Sequence, residues 1–315
     1  MNAHGTFEGL ERLSRDAING LAPQEAPASL IRTLDRQGWC VMRDAAESLQ
    51  GFKQFVSSLN VPIAEKYGDL PRSGAADVFR TTPYPPEEDL LFHNEASHTP
   101  QVPRYLFFYC HHAAETGGST PISDGVRALE LLDPTIADAL RRHGLTYRRR
   151  FIDGLDVAWQ DYFDTDDPAE VERHCQQNGL VSSWTNGGVL QVDYSTLAIG
   201  CLPDGRQSMF HQIALHHPTF LADEIRGYFS TYDPQGCTPR NVLLGGGTPL
   251  SDEWAREIVN AQNRAGQYFP WKRGDVLALD NRICAHGRMR FSGSREHYVI
   301  MSNLEAVEDV WSANS

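Results

Sequence analysis

Residues 274–295 read GDVLALDNRICAHGRMRFSGSR. Val276–Leu279 is a short apolar run of β-prone character, and Asp280-Asn281 is a turn-forming pair that ends it. His286 follows within a few residues, so the stretch predicts a strand, a tight turn and a second strand carrying an imidazole. The same alternation of short β-like runs and turns recurs outward along the chain. RYLFFYCHH at 104–112 is strongly β-prone, and LVSSWT, GVLQVDY, RQSMFHQIAL, YFPW and HYVIMSNLE are shorter pieces of the same kind. Helical signals lie mostly outside these runs. Residues 26–37 place Leu30, Ile31 and Leu34 at helical spacing with Gly38 as a stop, and WCVMR then reads as a strand. Residues 47–59 and the VRALELLD segment after the GGSTPISD turn read as further helices. Asp167-Pro168-Ala169-Glu170 looks like a capping box opening AEVERHCQQ, and Ser251 caps a helix with two acids in its first turn. No regular βαβ alternation is visible. The pattern predicts a mainly β protein with flanking helices, a sandwich or jelly roll. Residues 1–24 are polar and read as a loosely attached N-terminal segment. Residues 25–315 read as one domain.

A chain of 315 residues with 41% hydrophobic and 22% charged residues can bury a large core without staples. The formal net charge of −13 repels phosphate backbones and anionic membranes, which excludes nucleic acid as the expected partner. An acidic small molecule bound by such a chain needs local arginines. Six scattered cysteines without a CxxC pair fit reduced thiols. The N-terminus has no apolar core of a secretory signal, and no apolar stretch approaches the roughly 20 residues of a membrane helix. The expected location is the cytoplasm.

LFHNEASH at 91–98 puts His93 and Glu95 two residues apart. On a strand, residues i and i+2 share a face, so an imidazole and a carboxylate would converge. The pair alone is a weak signal among twelve histidines. His286, from a facing strand, can add a third donor. Two histidines and one carboxylate on one side of a metal form the facial triad of non-haem iron(II) oxygenases, with positions left open for cosubstrate and dioxygen.

HNEASH, PRYLFFYCHHAAETGGSTPISDG and GDVLALDNRICAHGRMRFSGSR together resemble the TauD/TfdA family of iron(II)- and 2-oxoglutarate-dependent oxygenases. The resemblance runs from about residue 28 to 303 and is weakest over roughly 150–250. The HNE, GGST and DN…HGR…F.G.R signatures look most like the SyrP-like branch, which acts on amino acids and carrier-bound aminoacyl groups. The resemblance implies a distorted double-stranded β-helix of the clavaminate synthase-like kind. It implies His93, Glu95 and His286 as iron ligands, and Thr120 and Arg295 as partners of the far carboxylate of 2-oxoglutarate. Arginine suits that task because it grips a carboxylate bidentately and keeps its charge. Arg290 is the fallback, and Arg288 is expected to face substrate or a structural acid. The implied reaction is hydroxylation of an unactivated C–H bond of a small biosynthetic intermediate, with dioxygen consumed. Desaturation, cyclisation or epoxidation by the same oxidant is the alternative outcome. Related halogenases lack the carboxylate ligand, so Glu95 argues against halide transfer. His98 stands where relatives are often aromatic.

Plainer readings compete at several positions. A non-catalytic β-helix protein binding a metal or small acid, or a zinc hydrolase using the same three residues, would share the triad. Structural zinc sites prefer four closed ligands, often cysteine. His211, His216 and His217 are competing ligands, each more simply structural, as are His111 and His112. Arg80 is as readily a solvated loop charge as a substrate partner. The basic run RRHGLTYRRR at 141–150 is read as a solvated face, with docking of an acidic carrier protein as its sharper alternative. Cys284 is most simply a small core residue. Residues 68–90, rich in Gly, Pro and acids, read as a long functional loop suited to a lid.

Overall fold

The apolar run predicted at 104–112 forms an eight-residue strand, Tyr105–His112, that is buried on both faces. Double burial explains why it does not alternate with polar residues. Leu106, Phe108 and Cys110 enter one core, while Tyr105, Phe107 and Tyr109 enter another. This strand is the centre of a five-stranded antiparallel sheet. Its order is Trp39–Met42, Val276–Asp280, Tyr105–His112, Glu296–Met301 and Phe79–Arg80. On the outer face, Leu30 and Leu34 from the helix Pro27–Gln37 and Phe52 and Val56 from the helix Leu49–Ser57 cover it.

The inner face packs on a second five-stranded sheet, ordered Glu11–Arg12, Gly266–Tyr268, Ile122–Asp124, Cys284–Arg288 and Leu90–His93. Every pairing in it is antiparallel except the first. Ile122, Phe269, Trp271 and Cys284 meet Leu277, Leu279, Val299 and Met301 in the shared core. Two antiparallel sheets closed face to face, with helices outside, are the predicted jelly roll. This computed structural model describes residues 6–7, 9–14, 27–64, 78–81, 84–185, 187–232 and 238–312. Within the segment read as loosely attached, Glu11 and Arg12 pair in parallel with Gln267 and Tyr268. Residues 1–5, 8 and 15–24 lie outside the described residues, as do residues 68–77, 82 and 83 of the expected lid loop.

Caps set most helix boundaries where polar side chains announce them. Ser48 accepts from Gly51 N at 3.1 Å, so the second helix begins at Leu49 rather than residue 47. Asp167 accepts from Ala169 N at 2.9 Å and opens Pro168–Gln177, but Glu170 bonds Thr165 instead of closing the capping box. Gly38 ends the first helix at φ 86°, and a Cβ there would lie 2.5 Å from Ile283 Cγ2. Glycine is required on both counts.

A third antiparallel sheet is ordered Val181–Trp184, Leu190–Thr196, Leu145–Phe151 and Arg240–Leu244. It occupies the region where the family signatures fade. The reading of 141–150 as a solvated face holds for Arg141–His143, which are exposed, and is corrected for the rest of the run by the strand Leu145–Phe151. The first part of that run ends the helix Pro134–His143, and the second part is sheet. Arg148 forks onto Asp193 directly across the ladder, at 2.9 and 2.7 Å. Arg149 forks onto Asp156 at 2.9 and 3.0 Å. Both charges are thus used internally. No disulfide joins the described cysteines, and Cys284 is a fully buried core residue as expected. Among the described residues no helix is long and apolar enough to cross a membrane.

Candidate metal and cosubstrate site

The strand Leu90–His93 lies antiparallel to Cys284–Arg288, and the register sets His93 directly opposite His286. Direct opposition brings the imidazole centroids to 4.3 Å. His286 therefore comes from the neighbouring strand of the same sheet and not from a facing one. Glu95 also arrives differently from the sequence expectation. The strand ends at His93, and residues 94–97 form a turn with Ala96 at φ 57°. The turn, not strand alternation, delivers the carboxylate. Glu95 Oε2 lies 3.6 Å from His286 Nε2, and one donor atom from each of the three residues falls within 4.8 Å of the others. Among the described residues this is the one group of histidines, cysteines and acids gathered closely enough to hold a metal.

Burial tunes the two imidazoles for that task. Both are 5% exposed. Burial lowers the His93 pKa, partly opposed by the Glu95 carboxylate and the bond to Leu91. Burial and the neighbouring His93 push His286 well below the usual histidine range. Each is neutral near pH 7, the form in which imidazole binds metals. His93 Nδ1 sits 2.8 Å from Leu91 O, which holds the proton on Nδ1 and leaves the Nε2 lone pair available. Phe108, 5.0 Å from the His286 ring, supplies an apolar wall.

Asn94 and Asn281, both fully buried, hold the turn that carries Glu95. Asn281 Oδ1 accepts from Glu95 N at 2.8 Å, and its Nδ2 donates to Glu95 O at 3.0 Å and Pro103 O at 2.9 Å. Asn94 Nδ2 donates to Asn281 O at 2.8 Å, and Asn94 Oδ1 accepts from His211 N at 2.9 Å. The sequence shows both asparagines inside the motifs, but turn propensity accounts for them equally well there. Asn281→Ala would strand three backbone groups, Glu95 N and O and the buried Pro103 O. It is expected to cost about 2–4 kcal/mol of stability. Metal affinity should fall about 10- to 100-fold, as for lost outer partners of metal ligands. Urea unfolding and Mn(II) titration measure the two effects, and an unchanged metal affinity would refute the positioning role.

A second cluster adjoins the triad. The Gly117–Thr120 turn is forced by its glycines: both have φ 69°, and a Cβ on Gly117 would lie 2.2 Å from Arg290 O. A Cβ on Gly118 would press on Arg295 Cδ at 3.2 Å. Arg295 Nε instead donates to Gly118 O at 3.1 Å. Thr120, 4% exposed, accepts from Trp271 Nε1 at 3.0 Å, which leaves its own hydroxyl proton to donate elsewhere. Burial lowers the Arg295 pKa to about 10, helped by the Arg288 charge, and it remains a cation. It has no carboxylate within ion-pair distance among the described residues. Arg290, the fallback, is engaged by Asp89 at 2.9 Å and is exposed. Arg288 has no acid within ion-pair distance among the described residues. Its guanidinium bonds the carbonyls of Tyr84, Pro85 and Glu88 at 2.6–2.9 Å. Arg80 is exposed and pairs loosely with Glu296 at 3.7 Å.

The competing histidines separate cleanly. His217 has both ring nitrogens on backbone, at Leu250 O and Thr219 N. His216 Nδ1 faces Gln212 O at 3.2 Å, and burial drops His211 to about 3. None of them joins the triad. His98 follows Glu95 closely and stacks at 4.9 Å on His216 and 6.2 Å from Tyr147.

Residues 11–301 match the family described as taurine catabolism dioxygenase TauD, TfdA family. Dapdiamide synthesis protein DdaC of Enterobacter agglomerans is 35% identical over 222 residues, covering 70% of this chain and 68% of that protein. A clavaminate synthase-like protein of Arabidopsis thaliana is 26% identical over 238 residues, covering 72% and 69%. Among solved structures, a putative alpha-ketoglutarate-dependent taurine dioxygenase from Burkholderia xenovorans superposes with a TM-score of 0.56 at 14% identity. The superposition covers 94% of this chain and 90% of that one, so the two share a fold. The motifs at both ends of the chain, the jelly roll between them and the match over nearly its whole length agree: the chain belongs to the TauD/TfdA dioxygenase family.

Proposed function

We propose that the chain is an iron(II)- and 2-oxoglutarate-dependent dioxygenase in which His93, Glu95 and His286 hold the metal and Arg295 and Thr120 hold the far carboxylate of 2-oxoglutarate. The observation that carries this reading is a pair. Two neutral buried imidazoles and a carboxylate gather their donors within 4.8 Å, beside a half-buried arginine with no acid in ion-pair reach among the described residues. The donor set fits iron(II): two nitrogens and one carboxylate oxygen suit a non-haem centre, and no fourth ligand closes the group among the described residues. Iron(II) with 2-oxoglutarate and dioxygen supplies an oxidant able to attack an unactivated C–H bond.

The chain's residues set the conditions for that chemistry. Asn281 fixes the carboxylate donor, and the Leu91 carbonyl orients one imidazole. Trp271 donates to the Thr120 oxygen and leaves that hydroxyl's proton to donate elsewhere, and Phe108, Leu106 and Cys110 keep the interior apolar. An apolar surround strengthens the arginine–carboxylate pair and keeps bulk water from the reacting centre.

The substrate is an amino acid, a carrier-bound aminoacyl group or a related biosynthetic intermediate, and the usual outcome is hydroxylation. The SyrP-like signatures and the similarity to a dapdiamide synthesis protein support this class. Carrier docking through the 141–150 run draws no support from Arg148 and Arg149, which are paired with acids. The test is succinate formation from 2-oxoglutarate across a panel of free and carrier-bound amino acids. Turnover should require iron(II), rise with the true substrate and stop without oxygen. Activity that survives anaerobiosis would point to a zinc hydrolase instead, and the absence of succinate would end the oxygenase reading.

A further inference from the structure

His297 is a buried imidazole that the arrangement above does not use. It lies on the strand Glu296–Met301, two residues past Arg295, and is 3% exposed. Neither ring nitrogen has a hydrogen-bond partner among the described residues. A buried polar ring left so is costly, and such rings are ordinarily satisfied by protein, water or ligand.

The surroundings narrow what could satisfy it. The register pairs His297 with Cys110, a residue of the shared core. Its ring packs against Trp271 with centroids 4.9 Å apart. The indole N–H is already given to Thr120, so it is not the missing partner. Burial, then the charges of Arg295 and His112, push the ring well below the usual histidine range, so it is neutral. A neutral imidazole carries one N–H donor. The position therefore presents a donor against the Trp271 indole, whose N–H serves the Thr120 hydroxyl, and within the field of the Arg295 cation, and no acid lies within ion-pair distance of it among the described residues.

We infer that His297 donates a third hydrogen bond to the far carboxylate of 2-oxoglutarate, completing a cradle with Arg295 and Thr120. This rests on the cosubstrate reading above. A carboxylate has room for several donors, and two oxygens shared by a guanidinium fork and one hydroxyl still leave lone pairs to fill. His297 is thus a binding residue that favours a dicarboxylic oxoacid over one lacking the second carboxylate.

The test is calorimetric titration of 2-oxoglutarate into the full chain loaded with Mn(II), for the wild type, His297→Leu and His297→Gln. His297→Leu should weaken 2-oxoglutarate binding about 10-fold or more, the usual scale for a hydrogen bond to a charged group. Mn(II) affinity should stay unchanged, because His297 is not among the metal donors. His297→Gln keeps an N–H donor and should recover most of the loss, which a merely space-filling role would not predict. His297→Met serves as a second donor-free variant if His297→Leu does not fold. Wild-type affinity in the donor-free variants overturns the inference while leaving the cosubstrate reading intact. A wild-type chain that binds Mn(II) but not 2-oxoglutarate overturns that reading, and this inference with it.

Discussion

His286→Ala is expected to abolish both metal binding and 2-oxoglutarate turnover while leaving the fold in place. The side chain lies directly across the ladder from His93 and supplies one of three donors. Losing a group that only orients a ligand already costs about 10- to 100-fold in affinity, so losing a ligand should cost at least about 100-fold. Stability should move little by comparison. The His286 Nδ1 atom has no hydrogen-bond partner among the described residues, so removing the ring breaks no such bond on that side. The cost is a cavity beside Phe108, on the order of 1–3 kcal/mol. Mn(II) titration together with thermal unfolding separates the two effects. Retained metal binding in a folded His286→Ala chain would refute the ligand assignment.

The second large effect is expected at Arg295→Leu. Removing one member of a buried charge pair costs about 2–5 kcal/mol, or roughly 30-fold to several-thousand-fold in the dissociation constant of 2-oxoglutarate. The unliganded protein should behave in the opposite sense to an ordinary buried salt bridge. Arg295 has no acid within ion-pair distance among the described residues, and its Nε donates to Gly118 O. Stability should therefore fall by no more than about 1 kcal/mol. Calorimetry with 2-oxoglutarate and urea unfolding without it measure both sides. A large loss of stability with unchanged 2-oxoglutarate affinity would make Arg295 a structural residue. Arg290→Leu is the matched control, since that side chain is exposed and engaged by Asp89.

Much of this was legible in the linear chain. The doubly buried strand Tyr105–His112 announced itself as an unbroken apolar run, because a strand covered on both faces has no polar positions to alternate. Asp167 and Ser251 marked helix starts through their side chains. The members of the triad were visible as motifs. What spacing misjudged was how they meet. Strand periodicity was the wrong route for Glu95, because the strand stops at His93 and a turn carries the carboxylate inward. The helix Asp223–Tyr232 was also not visible as a distinct signal, nor was Pro134–His143.

By itself, then, the sequence determined the jelly-roll pattern, the donor types and the candidate arginines. These depend on composition, periodicity and short motifs, which are local properties of the chain. Only the tertiary structure decided which arginine is available, for Asp89 engages Arg290 and three carbonyls hold Arg288. Only it showed Asn281 clamping Glu95 from 186 residues away, or Trp271 committed to Thr120 across 151. Burial, charge pairing and unsatisfied donors are sums over neighbours distant in sequence. The ladder between Leu90–His93 and Cys284–Arg288 is what turns two separate histidines into one site.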